Sequence, residues 1–195
     1  MAQQIKEFQS IMPLENVPSV IQCGILSHEQ MAKYKHHSVA MQEIQDRRNH
    51  VRIPGGLMLH QYANLYFHAR NPMMYKLHND AKRLSILRVS IEARHIEGAV
   101  IADRNASADF VQFLAIEQTH KLDLEAVYAR NWTHPDDPIA YRRHKAQKCA
   151  EFLVPHRLPP EFITGAYVVN EVARNALLAS GFSLPIQVEP DLFFH

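Results

Sequence analysis

A chain of 195 residues, 47% hydrophobic and 21% charged, has the composition of a single globular domain, large enough to bury roughly two thirds of the surface its unfolded form exposes. No window approaches the roughly 20 apolar residues of a membrane span, and the opening MAQQIKEF lacks the apolar run of a signal peptide, so a cytoplasmic protein without a membrane partner is expected. A net charge of +1 excludes nucleic-acid binding through bulk charge; any such surface has to be local.

In chain order, residues 7–11 are predicted as a short strand. Asn16-Val17-Pro18-Ser19 then opens a helix through Val20 and Ile21 that Gly24 stops. Ile25 and Leu26 follow, and residues 27–37 are polar, rich in His and Lys, a loop or a frayed helix. Ser38 starts a helix whose apolar positions Val39, Met41 and Ile44 run into Asp46, Arg47 and Arg48, so that it ends in a cationic cluster. Pro54-Gly55-Gly56 breaks the chain, residues 65–67 read as a buried strand, and Asn71-Pro72 opens another helix. Residues 84–90 alternate as a strand, residues 98–101 form a second, and Asp103-Arg104-Asn105 turns. Residues 109–118 and 123–130 carry short helical patterns, the latter capped by Asp123.

From 131 to 138 the composition shifts to Pro and Asp around the chain's single tryptophan, Trp132, which marks a loop. A basic helix over 139–148 feeds a strand over 151–154, and Pro159-Pro160-Glu161-Phe162 turns. Residues 165–169 form a strand, Asn170 caps a helix through Leu178 that Gly181 ends, and residues 185–188 are a last strand. No repeat or linker divides residues 1–195, which read as one domain. Helices and strands mix without a βαβ period and no GxGxxG is present, so the fold class expected is α+β and not a doubly wound sheet.

The two cysteines, Cys23 and Cys149, form neither a CxxC pair nor a zinc spacing, and the thirteen histidines contain no HExxH, so no metal is expected. Glu151 interrupts an otherwise apolar strand, where an ionised carboxylate loses solvation unless it is paired or opens on a cleft. It reads equally as a strand-end glutamate facing water. Arg47 and Arg48 read either as site residues or as cations complementing a helix C-terminus, and Tyr66 and Phe67 as site or core. The run Arg142-Arg143-His144-Lys145 with Lys148 is a candidate phosphate surface or a solvated helix face.

Taken together, several blocks resemble the DarT family of DNA ADP-ribosyltransferases, the toxins of DarT–DarG toxin-antitoxin systems. They are NVPSVIQCGILS at 16–27, SVAMQEIQDRRN at 38–49, PGGLMLHQY at 54–62, LYFHARNPMMY at 65–75, ADRN at 102–105 and AEFLVPHRLPPEFI at 150–163. The resemblance implies an ADP-ribosyltransferase fold whose small mixed sheets form an NAD cleft, with NAD as the ADP-ribose donor and a thymidine or guanosine base of single-stranded DNA as the acceptor. It also implies a macrodomain antitoxin as partner, and a monomer. By the same resemblance Glu151 and Arg48 are the catalytic residues, and Tyr66 lies against the nicotinamide. Ser19 and Leu26 line the NAD pocket, residues 32–50 cover NAD, and Ser10, Ile11 and Met12 lie on the strand that contacts it. Three positions depart from the family pattern: Ser10 and Met12 stand where relatives carry a His and a Thr, and Ala102 where a Thr precedes the aspartate. Residues 110–151 correspond to the substrate-recognising region. Within it Trp132 is expected to stack a base, and Arg142, Arg143, Lys145 and Lys148 to follow the phosphates of a single strand. The rival readings keep the fold with an RNA or protein acceptor, or keep nucleic-acid binding without catalysis.

Overall fold

The structure is a computed structural model that describes residues 4–32 and 42–195. Ten strands and seven α-helices, with several short 3-10 helices among them, are found along these residues. The strands are β1 (Glu7–Pro13), β2 (Ile25–Leu26), β3 (Tyr62–Tyr66), β4 (Leu84–Ser90), β5 (Val100–Ala102), β6 (Phe113–Leu114), β7 (Glu151–Pro155), β8 (Arg157–Leu158), β9 (Ile163–Val168) and β10 (Ile186–Val188). The helices are α1 (Val17–Cys23), α2 (His28–Met31), α3 (Gln42–Arg48), α4 (Pro72–Leu77), α5 (Leu124–Tyr128), α6 (Pro138–Gln147) and α7 (Glu171–Ala179). Eight strands form one mixed sheet in the order β10-β9-β4-β1-β3-β7-β5-β6, with β10 parallel to β9 and the other pairs antiparallel, while β2 and β8 form a separate ribbon. This is the α+β architecture expected.

The large sheet is almost two sheets. β1 is laddered to β4 over its whole length, from Glu7↔Ser90 to Pro13↔Leu84, but meets β3 at Gln9↔Tyr66 alone. Beyond Gln9 the two halves part, and Ser10 to Pro13, all buried, have no strand partner on the β3 side of β1. What joins the halves is apolar contact: the Phe8 ring stacks on Phe152 of β7 with centroids 3.9 Å apart and meets Phe67 edge-on at 5.5 Å. Each buried aromatic of this kind contributes about 1.5–3 kcal/mol through lost water contact.

Local rules account for most helix limits. Asp123, Asp137 and Asn170 accept backbone N–H bonds at the starts of α5, α6 and α7, each cap worth about 1 kcal/mol. Gly24 ends α1 at φ +83°, and a Cβ there would lie 2.0 Å from the Leu158 carbonyl oxygen, so glycine is what lets the β2–β8 ribbon close. Two expectations change. Residues 109–118 are not one helix: Phe110 stands at φ +59°, in the left-handed region, Phe113–Leu114 pairs with Ala102–Ile101 as an edge strand, and only from Ile116 does a 3-10 helix, Ile116–Lys121, begin. The helix read from Ser38 is described only from Gln42, so Ser38, Val39 and Met41, with the rest of residues 33–41 in the element at 32–50, lie outside the described residues.

Candidate active site

β7 is the second strand of one half-sheet, and its first residue is Glu151, flanked across the ladder by Tyr66 of β3 and Ala102 of β5. An acid in that position has neighbours on both sides and is 0% exposed. Its partner arrives from the far end of the sequence. Arg48, the last residue of α3 and 6% exposed, places Nη1 at 3.1 Å from Oε1 and 3.0 Å from Oε2 of Glu151. The backbone N–H of Ala106 donates to Oε1 at 2.9 Å. A buried carboxylate therefore receives one cation and one fixed dipole, the arrangement that makes burial of charge tolerable.

The sequence around each partner explains its placement. After α3 the chain turns back through Pro54-Gly55-Gly56: the Val51 N–H donates to the Arg48 carbonyl at 3.2 Å and the Leu59 N–H to the Val51 carbonyl at 2.9 Å. The Leu57 N–H then donates to the Tyr62 hydroxyl at 3.2 Å, which ties the Arg48 turn to the start of β3. On the other side Asp103 folds the loop that carries Ala106. Its carboxylate accepts from Arg104 Nη2 at 2.8 Å and from the Gln112 N–H at 2.9 Å, while the Asn105 N–H donates to the Ala146 carbonyl of α6. Asp103 thus acts through backbone geometry.

Tyr66 borders the carboxylate directly, and burial followed by the Glu151 charge pushes its phenol well above the usual range, so it is a neutral hydrogen-bonding group. Ser10, Ile11 and Met12 lie on β1 where it parts from β3 and are all buried. Ser10 and Met12 share the face of Phe8; the carbonyl of Met12 accepts from Ser85 Oγ at 3.2 Å. Leu26 is half-buried opposite Arg157, and the exposed Ser19 hydroxyl donates to the Asn16 carbonyl at 2.8 Å, within its own helix turn. So Arg48, Tyr66 and Glu151 come together at one point and β1 borders it, while Ser19 and Leu26 lie on the α1–β2 flank.

Sequence reasoning missed the Ala106 N–H, because a backbone donor carries no residue signature. It also missed His60. That imidazole packs against His28 with centroids 4.4 Å apart; burial, then His28 and Arg48, lower its pKa, so it is neutral at pH 7. Its Nε2 and the neighbouring Gln45 Oε1 are buried without hydrogen-bond partners. These two orphaned polar atoms, one on the Arg48 helix and one packed beside it, leave hydrogen-bonding capacity that a polar ligand can take up.

The proposed DNA contacts divide. Arg142 and Arg143 are exposed on α6, and Lys145 lies with its ammonium 5.3 Å over the Tyr141 ring. Lys148 corrects the expectation. It is 1% exposed, with Nζ donating to the Val127 carbonyl at 2.7 Å and lying 2.9 Å from His68 Nδ1, so no phosphate reaches it. The reason is position: α6 ends at Gln147, and the chain turns inward one residue later to enter β7. Trp132 is not a free platform either: at 8% exposure it meets Tyr75 and Phe194 edge-on and forms the wall of a cavity. Among the described residues no group of His, Cys, Asp and Glu could hold a metal, and no helix is long and apolar enough to cross a membrane.

The family model described as "DarT: ssDNA thymidine ADP-ribosyltransferase, DarT" matches residues 10–194. A "DNA ADP-ribosyl transferase" of Thermus sp. (strain 2.9) is 32% identical over 161 residues, which cover 76% of this chain and 74% of the relative. A "DNA ADP-ribosyl transferase-DNA ADP-ribosyl glycohydrolase fusion protein" of Thermosipho africanus (strain H17ap60334) is 29% identical over 204 residues, covering 98% of this chain, which spans half the length of that relative. The structure of Thermus sp. 2.9 DarT in complex with ADP-ribosylated ssDNA superposes with a TM-score of 0.85 at 25% identity, over 99% of this chain and 98% of that one.

Proposed function

Because the chain belongs to the DarT family, we propose that it transfers ADP-ribose from NAD to a thymidine base of single-stranded DNA, and that residues 1–195 act as one transferase domain. The observation that carries this is the buried Arg48–Glu151 contact at the point where β1 and β3 part. The bond between nicotinamide and ribose C1′ breaks with its electron pair leaving on nicotinamide, so positive charge develops on the ribose. Glu151 is a fixed negative charge beside that position, able to accept a ribose hydroxyl's hydrogen bond, oppose the cation and take the proton released as C1′ bonds the base. Arg48 holds the carboxylate and offers a planar fork to the incoming nucleotide; a guanidinium is too weak a base to remove the proton itself. The unpaired edge of β1 supports donor binding in spite of Ser10 and Met12, because backbone N–H and C=O groups can hold an amide whatever the side chain.

An acceptor base must be unstacked to reach a carboxylate this deep, which favours single strands over duplex. Arg142 and Arg143 are the exposed cations for its phosphates. A macrodomain glycohydrolase that removes the modification, as half of the Thermosipho relative is named to do, is the proposed partner in a toxin–antitoxin pair. Adenine-labelled NAD and an oligonucleotide containing thymidine test the function. Label moves to the oligonucleotide with the natural protein and not with Glu151→Ala; absence of transfer to any DNA, with NAD bound, overturns it.

A further inference from the structure

Among the described residues three side-chain polar atoms are buried without a hydrogen bond, and two of them are neighbours: His60 Nε2 and Gln45 Oε1. The third, Arg70 Nε, stands apart beside Asp191. Gln45 precedes Arg48 on α3 by three residues, which puts both on one helix face, about 4.5 Å apart along the axis. The Gln45 carbonyl lies within hydrogen-bonding reach of the His60 ring and the Arg48 charge acts on it, so His60 faces the turn of α3 that leads to the catalytic arginine. On its other side His60 packs on His28, which opens α2 two residues after Leu26 of β2. The two orphaned atoms thus join the Arg48–Glu151 centre to the flank that carries Leu26.

His60 is held in place. It belongs to a 3-10 helix, Leu59–Gln61, whose Leu59 is 0% exposed. Gln61 Oε1 accepts from the Met58 N–H at 3.1 Å, and the Gln61 carbonyl accepts from the His156 N–H at 2.6 Å. Both His60 and Gln45 are only half-buried as residues, so a ligand in the cleft reaches them. Chemistry narrows what that ligand offers. Gln45 Oε1 takes a donor and nothing else, which a phosphate oxygen does not supply. Nε2 of a neutral imidazole donates or accepts according to its tautomer, and a hydroxyl satisfies it either way. Two adjacent hydroxyls, one for each orphan, are a ribose cis-diol. Of the two riboses in NAD, the one on nicotinamide must sit at Glu151 for its bond to break there. The orphans, one helix turn away, fall to the other.

Resting on the proposed transfer from NAD, we infer that His60 and Gln45 read the adenosine ribose of the donor, one hydroxyl of its cis-diol on His60 Nε2 and the other on Gln45 Oε1. His60 is thereby a specificity-determining residue. A phosphate on the 2′ oxygen removes one of the two donors and leaves a buried acceptor unpaired, so the site selects NAD over its 2′-phosphorylated form.

Calorimetry on the full chain tests this with four dinucleotides: NAD, NADP, an NAD analogue carrying 2′,3′-dideoxyadenosine, and nicotinamide hypoxanthine dinucleotide. The natural protein should bind NADP and the dideoxy analogue about tenfold or more weakly than NAD, and the hypoxanthine analogue within about twofold of it. The double variant His60→Phe/Gln45→Leu, its fold checked by thermal melting, should bind NAD and the dideoxy analogue within about twofold of each other. The analogue series on the natural protein decides even where the variant fails to fold. Transfer from labelled NAD to a thymidine oligonucleotide is measured alongside. Transfer, with NAD and the dideoxy analogue bound equally tightly by the natural protein, overturns the inference and leaves the proposed function standing. Discrimination against the dideoxy analogue without any transfer keeps the inference and sinks the transferase reading. A tenfold loss with the hypoxanthine analogue alone assigns the orphans to the adenine amino group, and undiminished discrimination by the folded double variant places the diol elsewhere; either result overturns the inference. Absence of NAD binding removes both readings.

Discussion

Glu151 and Lys148 lie three residues apart on the same connection, are buried to the same degree, and yet sit in opposite electrostatic worlds. Glu151 meets a guanidinium and a backbone N–H at the start of β7. Lys148 meets a carbonyl oxygen and an imidazole, with no carboxylate, and burial brings its ammonium down to about 7. Beside it His68 is pushed down to about 3, by burial first and then by Lys148 and Arg70. A charge buried against its opposite keeps a field that chemistry can use; a charge buried against neutral dipoles tends to give the charge up. On the proposed function the first place acts on a ligand, while the second pins α5, α6 and the end of β3 together.

The strongest way to break the contrast is at Glu151. Glu151→Gln keeps the shape and removes the charge, and transfer to DNA should fall about 10³-fold or more while NAD still binds, read by single-turnover assay and calorimetry. Arg48→Ala strands the carboxylate in the interior and should cost about 3–5 kcal/mol in denaturant unfolding, beyond any loss of activity. Lys148→Met leaves two acceptors unpaired and should cost about 1–3 kcal/mol at pH 7, without the collapse in rate.

pH sharpens the comparison. The folded pKa of Lys148 lies below its unfolded value, so between about 7 and 10.5 the unfolded chain binds a proton that the fold excludes, and stability rises with pH across that window. His68 contributes a like rise between about 3 and 6.5. Either slope is at most about 1.4 kcal/mol per pH unit. Lys148→Met should flatten the upper one, as followed by urea melts from pH 7 to pH 9. The smallest effect belongs to α6: Arg142→Ala and Arg143→Ala should leave stability within about 0.5 kcal/mol and each lower the salt dependence of DNA binding by about one unit of slope.

Much of this was legible in the sequence, and the rest failed for identifiable reasons. Glu151 showed itself as an acid in an apolar run, and Arg48 as a cation at a helix end before a Pro-Gly-Gly break. Both signals report local irregularity, which sequence records well. Their contact was not local, being closed by the sheet order and the turn at Val51–Leu59, and only family likeness joined them beforehand. Lys148 misled because a basic run says nothing about where a helix stops: one residue past the end of α6 is enough to reverse its role. Residues 109–118 carried helical spacing that the left-handed Phe110 and the pairing of Phe113–Leu114 with β5 overrode. The sheet's parting at Gln9↔Tyr66, which leaves the edge of β1 unpaired, is a property of register between distant strands and had no local signature.

The most direct measurement is fragmentation mass spectrometry of a single-stranded oligonucleotide incubated with NAD and either the natural protein or folded Glu151→Gln. The account predicts one ADP-ribose adduct, placed on a thymidine, with the natural protein and none with the variant. Equal modification by both proteins, or an adduct on a phosphate or a sugar hydroxyl, would contradict it.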